Sequence, residues 1–478
     1  MKRLIAFLLL VVSTFAANSI ATADYNQVTA KGIKLSGTTI QSSIVGCGAG
    51  SNGADTLNQS TCGNVAPYPS ALSSPTSLPD GGTLCPGGVW PCTVTAPGNY
   101  VAVSNCSIPT VKCITFSAKN VHFDFAGHTL DGQIDCEACV NNGTSEFFSS
   151  AAGGTHTCAI SGTVGPALKA CFYMNDGNDG GTLNFHHLTV NNTANASGTS
   201  AKYAVFETGT GASALTTVNI YNITGTLTNT SDITTSRVVM FRIQTSIAGS
   251  FYIVANSHNN DINCGDVAAC NIHEYVAASG AVYNNISTLT TNTIGETSRF
   301  VIFDGEQGLD QHTRFGSAYN NKVTVNNNRF YRDRGQTGGV SHDNRVLNVT
   351  GVSLGAFHME NENGTDFTDI SFTTSNEYVE VASGIAMAVR GAKNIAISGW
   401  NVVCATCTSG RFVHLYAPIA PQTESSVCAQ SNTIAASIGS ASSCVSGTGT
   451  NSCASAGTAL KISTSGTSSG AGTITACP

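Results

Sequence analysis

Charge is what this chain has least of: 10% of its residues are Asp, Glu, Lys or Arg, and they sum to a net −7. The excess of Lys and Arg that neutralises phosphates is missing, which excludes nucleic acid as a partner. Long apolar runs are also missing. A bilayer span takes about 20 such residues, and the one sustained run, Leu4 to Ala17, falls short of that. No membrane span is expected. The chain has no phosphate-cradling Gly loop, no dinucleotide fingerprint and no Ser-His-Asp elbow, so nucleotide and serine-hydrolase chemistry have no motif to rest on. Proline is sparse, at 12 residues, while 41% of the chain is apolar. A disordered tail lacks that apolar material; this chain has enough of it for a core.

What is present begins with a processing signal. Lys2 and Arg3 precede the apolar run, and Ala21-Thr22-Ala23 follows it as a small-residue cleavage site before Asp24. Residues 1–23 read as a secretory signal peptide, and the mature chain as secreted or displayed at the cell surface. The 18 cysteines fit an oxidising compartment: ten lie between Cys47 and Cys171, two are Cys264 and Cys270, and six lie between Cys404 and Cys477. Each group is even, so disulfides within each region are expected. Cys136-x-x-Cys139 and Cys404-x-x-Cys407 have no second Cys or His pair at zinc spacing, and no metal is expected on them.

The segment from Val121 to Gly132 carries the fold. Val121-His122-Phe123-Asp124-Phe125 alternates at strand period, the chain breaks at Gly127, alternates again and stops on Asp131-Gly132. Two short strands therefore meet at a corner with almost no loop. Thr95 to Val101 and Cys113 to Asn120 follow the same style. On these residues the chain resembles the opening coils of the right-handed parallel β-helix proteins, the superfamily of pectate lyases and polygalacturonases. The resemblance implies an all-β, right-handed parallel β-helix, placed at residues 95–405. Composition places a Cys/Gly-rich cap at 24–94 and a Ser/Thr/Gly/Cys-rich cap or small β module at 406–478. Disulfides are expected to staple the two ends, where a solenoid exposes open sheet edges. The polygalacturonase motifs do not carry over. Gly265-Asp266-Val267 has no second Asp, there is no Gly-His-Gly, and Arg242-Ile243-Gln244 precedes that Asp and lacks the Lys.

Further along, Val323, Val346, Ile370 and Ile395 open short runs spaced 23, 24 and 25 residues apart, a solenoid spacing. The scarce charges crowd into the same region. On this register Asp310 and Asp333 each stand 13 residues before a marker, and stacking would put them about 5 Å apart. Arg334 and His358 each stand 12 before theirs. The expected catalytic set is Asp310, Asp333, His358, Arg334 and His312, with Arg332, Arg345 and Glu360 contacting substrate. Stacked carboxylates need a shared proton, a cation or a base. They would serve a surface ion network with Arg332 and Arg334, acid–base cleavage of a glycoside, or elimination beside a uronate carboxylate neutralised by Ca²⁺ or Arg. Asp304-x-Glu306 with Asp310 offers oxygens for Ca²⁺ but lacks the spacing of a defined calcium loop. His186-His187 reads as packed or surface rings in preference to a ligand pair.

A long β-helix presents a shallow groove along its sheets. The expected partner is an extended polysaccharide or cell-surface glycan, bound or cleaved. The alternative from the same features is a non-catalytic adhesin, envelope component or self-associating filament subunit, and fold alone does not choose between them.

Overall fold

The computed structural model describes two short strands at 33–35 and 38–40, then 68–158, 170–175, 178–192, 202–209, 214–228, 237–244, 253–265, 270–276, 278–290, 298–304, 313–314, 316–334, 336–350, 355–360, 371–392, 394–403, 411–416, 425–430, 432–434, 462–464 and 472–475. Ile33–Leu35 and Thr38–Ile40 form an antiparallel pair. Every other pairing between described strands is parallel, between one coil and the next, and no α-helix occurs among the described residues. The chain is a solenoid of parallel strands, as the sequence implies.

A typical coil visits three sheets in turn. Thr216–Tyr221 lies in the first, Thr224–Leu227 in the second and Arg237–Gln244 in the third. The next coil repeats the path with Ile253–His258, Asp261–Cys264 and Cys270–Val276. Register holds residue for residue: Leu183 stands beside Val218, and Val218 beside Ala255. The alternation of Thr216–Tyr221 explains its placement, since Thr216, Val218 and Ile220 are buried and the residues between them are half-exposed. In the third sheet, by contrast, Cys270–Val276 and Arg299–Asp304 are buried along their whole length, on both faces. One continuous apolar core runs through the coils, with Phe172 stacked on Phe206 at 4.9 Å.

The stacking outruns the expected boundaries at both ends. Thr76–Leu78 already pairs with Gly98–Ala102, and Gly472–Thr475 still pairs with Ser425–Gln430. The long strand Thr129–Cys136 serves two sheets: its start pairs with Thr155–Thr157 and its end with Ala170–Met174.

The corner between the first and second sheets repeats most faithfully. Asn222, Asn259, Asn284, Asn320, Asp343 and Asn376 all sit there with φ of 54–57°, the left-handed region that Asn and Asp tolerate better than other side chains. From Asn259 on, the residue that follows points a polar group inward. Asn260, Asn285, Asn321 and Asn344 form a ladder in which each amide oxygen accepts the backbone N–H of the coil before, at 2.9–3.1 Å. This gives part of the Asn excess a role: it satisfies buried backbone groups at four successive corners.

Five disulfides are described: Cys85–Cys92, Cys106–Cys113, Cys136–Cys139, Cys158–Cys171 and Cys264–Cys270. Each stays within its regional group, and the Cys136-x-x-Cys139 pair is a disulfide. Cys428 is also disulfide-bonded. The expected signal segment and the other cysteines lie outside the described residues. Among the described residues no helix is long and apolar enough to cross a membrane.

Candidate functional site

The outer face of the first sheet carries a ladder of rings: Phe148, His186, Tyr221, His258, Tyr283, Tyr319 and His342 stack one per coil, centroids 4.4–5.4 Å apart. Each inner ring spends both faces on its neighbours, so only ring edges are left, and a sugar cannot stack on them.

The third sheet differs. Its outward positions line up as Glu207, Arg242, Glu274, Ile302, Arg332, His358, Ala388 and His414, one on each successive coil. Beside this column run Asn271, Arg299 and Arg329 on one flank, and Glu360 with Arg390 on the other. In a chain with so little charge, this concentration is the main polar feature of the fold. It has two halves.

In the lower half, Arg242 Nη1 donates to Glu207 Oε1 at 3.0 Å, and its Nε lies 3.4 Å from Glu274 Oε1. Gln244 Nε2 also donates to Glu207 Oε1, at 2.6 Å, and Asn271 Nδ2 donates to Glu274 Oε2 at 2.8 Å. Each of these carboxylates thus has one arginine and one amide beside it.

The upper half is richer in cations. Glu360 accepts from Arg390 Nη1 at 3.1 Å through one oxygen and from Arg332 Nη2 at 3.4 Å through the other. That second oxygen also lies 3.4 Å from His358 Nε2. His358 is fully buried, and its affinity for a proton falls well below the ordinary imidazole range. Burial is the first cause; the charges of Arg329, Arg332, Arg299 and Arg390 add to it. The ring is therefore neutral. Nε2 is the ring nitrogen nearest the Glu360 carboxylate, and neither ring nitrogen makes a hydrogen bond. Arg390 also lies 5.0 Å over the ring of Tyr416, and its side chain is the most exposed of the ion-paired groups in this half, at 21%.

Of the expected site residues, the fold brings together Arg332, His358 and Glu360. It separates Arg345, which belongs to the second sheet, beside Lys322 and 4.9 Å over the ring of Tyr378. Asp310, His312 and Glu306 lie outside the described residues, and the Ca²⁺ reading with them. Of Arg334 the backbone alone is described; it pairs with Asp304. Among the described residues no group of three or more His, Cys, Asp or Glu could hold a metal ion.

The expected stacking on Asp333 is corrected. Its neighbours are Phe303 below and Met359 above, in a column that also contains Tyr275. Those three belong to the core, so Asp333 occupies an inward position and is fully buried. The spacing argument failed first because the coils differ in length ahead of their markers: Phe303 stands 20 residues before Val323, and Asp333 13 before Val346. Its markers also mixed sheets. Val323 and Val346 do pair, in the second sheet, but Ile395 belongs to the first, and the true partner of Val346 is Val379. The better signal was the repeated Arg-Phe that opens third-sheet strands at Arg299-Phe300, Arg329-Phe330 and Arg411-Phe412. That pair aligns Arg299 with Arg329 and would have found both arginines, which the spacing argument missed along with Glu207, Arg242, Glu274 and Arg390.

No family model matches the chain, and no curated protein or solved structure matches it.

Proposed function

We propose that the protein is an exported β-solenoid that binds an acidic polysaccharide on the outer face of its third sheet, and that elimination is the reaction its site is equipped to perform. The observation that carries this reading is the arginine set around His358: Arg332 pairs beside it, Arg299 and Arg329 adjoin on the flank, and Arg390 joins Arg332 on Glu360. Guanidinium groups suit a carboxylate in geometry and charge. A uronate carboxylate held there would have its α-carbon proton acidified, and the unprotonated nitrogen of the neutral His358 ring would take that proton. The electron pair forms the C=C bond, the glycosidic C–O bond at the β carbon breaks, and the departing oxygen takes a proton from water. The incoming carboxylate would also offset the arginine charges that depress His358, making the ring a stronger base once substrate is bound. Because His358 is fully buried, cleavage requires the polymer to reach past Arg390 and Glu360, whereas binding needs only that rim.

Hydrolysis by a carboxyl pair is less well supported. Glu207, Glu274 and Glu360 are each ion-paired to arginine, and Asp333 stands in a core column. The non-catalytic alternative, an adhesin, envelope or filament protein, keeps the binding surface and drops the chemistry. The test is a panel of uronate-containing, sulfated and neutral polysaccharides, followed by co-sedimentation, absorbance of unsaturated ends and reducing ends. Binding of acidic polymers at low salt, with unsaturated products that vanish in His358→Asn, is expected. Reducing ends without unsaturation would move the assignment to hydrolysis. Binding without products leaves the adhesin, and no binding by any acidic polymer overturns the site.

A further inference from the structure

The outer face of the first sheet is free of charge over most of its length. Along the path of this sheet, the nine described strands from Gly181–His186 to Ser425–Gln430 contain no Asp, Glu, Lys or Arg. Arg314 stands off that path, on the two-residue strand Thr313–Arg314 against the start of Gln336–His342. The other sheets differ: the second carries Asp261, Lys322, Arg345 and Glu380, and the third the arginines.

Outward positions of this face fall into three columns along the solenoid. The first holds Thr182, Thr217, Val254 and Ser279. The middle one runs Asn184, Asn219, Asn256, Ala281, Ser317, Val340, Thr373 and Ala396. The third is the ring ladder. Above the buried His186, every one of these residues is half-exposed or exposed. A sheet face open to water ordinarily carries charges that keep copies of a protein apart.

We propose that this face pairs two copies of the chain, sheet against sheet. Nine strands at ~4.8 Å, each about five residues long, make a face of roughly 700 Å². A standard interface buries ~800 Å² a side. Interface centres are poor in charge and rich in tyrosine, as this face is at Tyr221, Tyr283 and Tyr319. In-register ladders of Asn and stacked rings are also what interlocks paired sheets, and a second copy repeats at the spacing of the first.

Shape selects the symmetry. A twofold axis running across the coils would set ring column on ring column, ridge against ridge. A twofold axis parallel to the solenoid sets the rings of each copy over the small first column of the other. Tyr221 of one copy then covers Thr217 of its mate, and the reverse holds by symmetry. The middle column lies on the axis, where each residue faces its own counterpart. At the lower end Glu146 enters that column, its carboxylate already bonded to His186 and His122. The third sheet of each copy stays outside the contact.

Sedimentation of the full chain tests the pairing. A dimer is expected, with an affinity that does not fall as salt is raised, because no ion pair holds it. Ala281 is half-exposed, and its methyl group makes no hydrogen bond. Ala281→Glu and Ala281→Lys should therefore keep the fold, which circular dichroism checks. Each opposes two like charges on the axis and should weaken the dimer at least ~100-fold. Mixed in equal amounts, the two variants should form a dimer again, now one that salt weakens. Ser317→Glu and Ser317→Lys repeat the test one coil further on, should the first pair fail to fold. A wild type that is monomeric at ~0.1 mM chain, charged variants that stay dimeric, or a mixture that stays monomeric would each overturn the proposal. Binding of a neutral polysaccharide by a monomeric wild type, lost in the charged variants, would assign the face to that polymer instead.

Discussion

Asn344 and Glu377 occupy the same corner of adjacent coils, and the Glu377 carboxyl accepts the Asn344 backbone N–H at 2.8 Å, the role that amides play in the coils before. It also accepts from Ser341 Oγ at 2.5 Å and from Asn344 Nδ2 at 3.1 Å. The ladder of neutral amides thus ends on an acid that is fully buried.

Burial pushes Glu377 up to about 8, against the bonds from Ser341 and Asn344 that favour its charge. An unfolded glutamate releases its proton near 4.5. Its contribution to stability is therefore complete below pH 4.5 and is lost as pH rises through 8. The buried histidines act oppositely. His156 and His258 are held down to about 4 and His273 to about 3, mainly by burial. Their contribution is complete above 6.5 and is lost as pH falls through those values. Denaturant unfolding at a series of pH values should show a maximum near neutrality. Glu377→Gln should flatten the alkaline limb and exceed the wild type at pH 8.5 by a few kcal/mol.

His273 is a histidine used as an aromatic ring. It is buried in the core against Phe241 at 5.5 Å and Phe300 at 5.1 Å, and neither ring nitrogen has a hydrogen-bond partner. His273→Phe continues the phenylalanine column and removes two buried polar atoms, so it should stabilise the fold by about 1–3 kcal/mol at pH 7. A loss of stability in thermal or denaturant melts would mean that the imidazole has an unrecognised partner.

Asn321 tests the ladder itself. Its Oδ1 accepts the Asn285 backbone N–H at 3.1 Å, and its Nδ2 donates to Val282 O at 2.9 Å. Asn321→Ala strands both groups in the interior and should cost about 2–5 kcal/mol. The change should appear as a lower denaturant midpoint, whereas the half-exposed Asn219, whose bonds to Asn184 and Asn256 can be replaced by water, should lose only about 1 kcal/mol on change to Ala.

Glu360 should separate stability from binding. Glu360→Gln removes the carboxylate shared by Arg332 and Arg390, which breaks a largely buried pair and should destabilise by about 2–4 kcal/mol. The same change leaves the arginines uncompensated, so acidic polymer should bind more tightly, with a steeper salt dependence. Weaker binding to the folded variant would place the polymer elsewhere.

The fold was legible because strand alternation and corner residues are local signals: Val121 to Gly132 announces two strands and a corner without any long-range information. Regional pairing of the described cysteines was legible for the same reason. The site was not. Its members come from strands whose spacing changes from coil to coil, so counting 23 residues back from Asp333 arrives at Asp310, while the neighbour in space is Phe303, 30 residues back. The inward direction of Asp333 was hidden too, because a strand buried on both faces shows no polar–apolar alternation.

The corner ladder has a consequence for how such a chain can change over time. Successive ladder residues are separated by 37, 25, 36, 23 and 33 positions from Ile223 to Glu377, yet every rung closes at nearly the same length. A coil may gain or lose a dozen residues elsewhere and still return to its rung in step. Length is thereby uncoupled from register, and each coil becomes a place where new segments can be admitted without disturbing those above and below. The ladder preserves the architecture while allowing the regular period of the sequence to be erased.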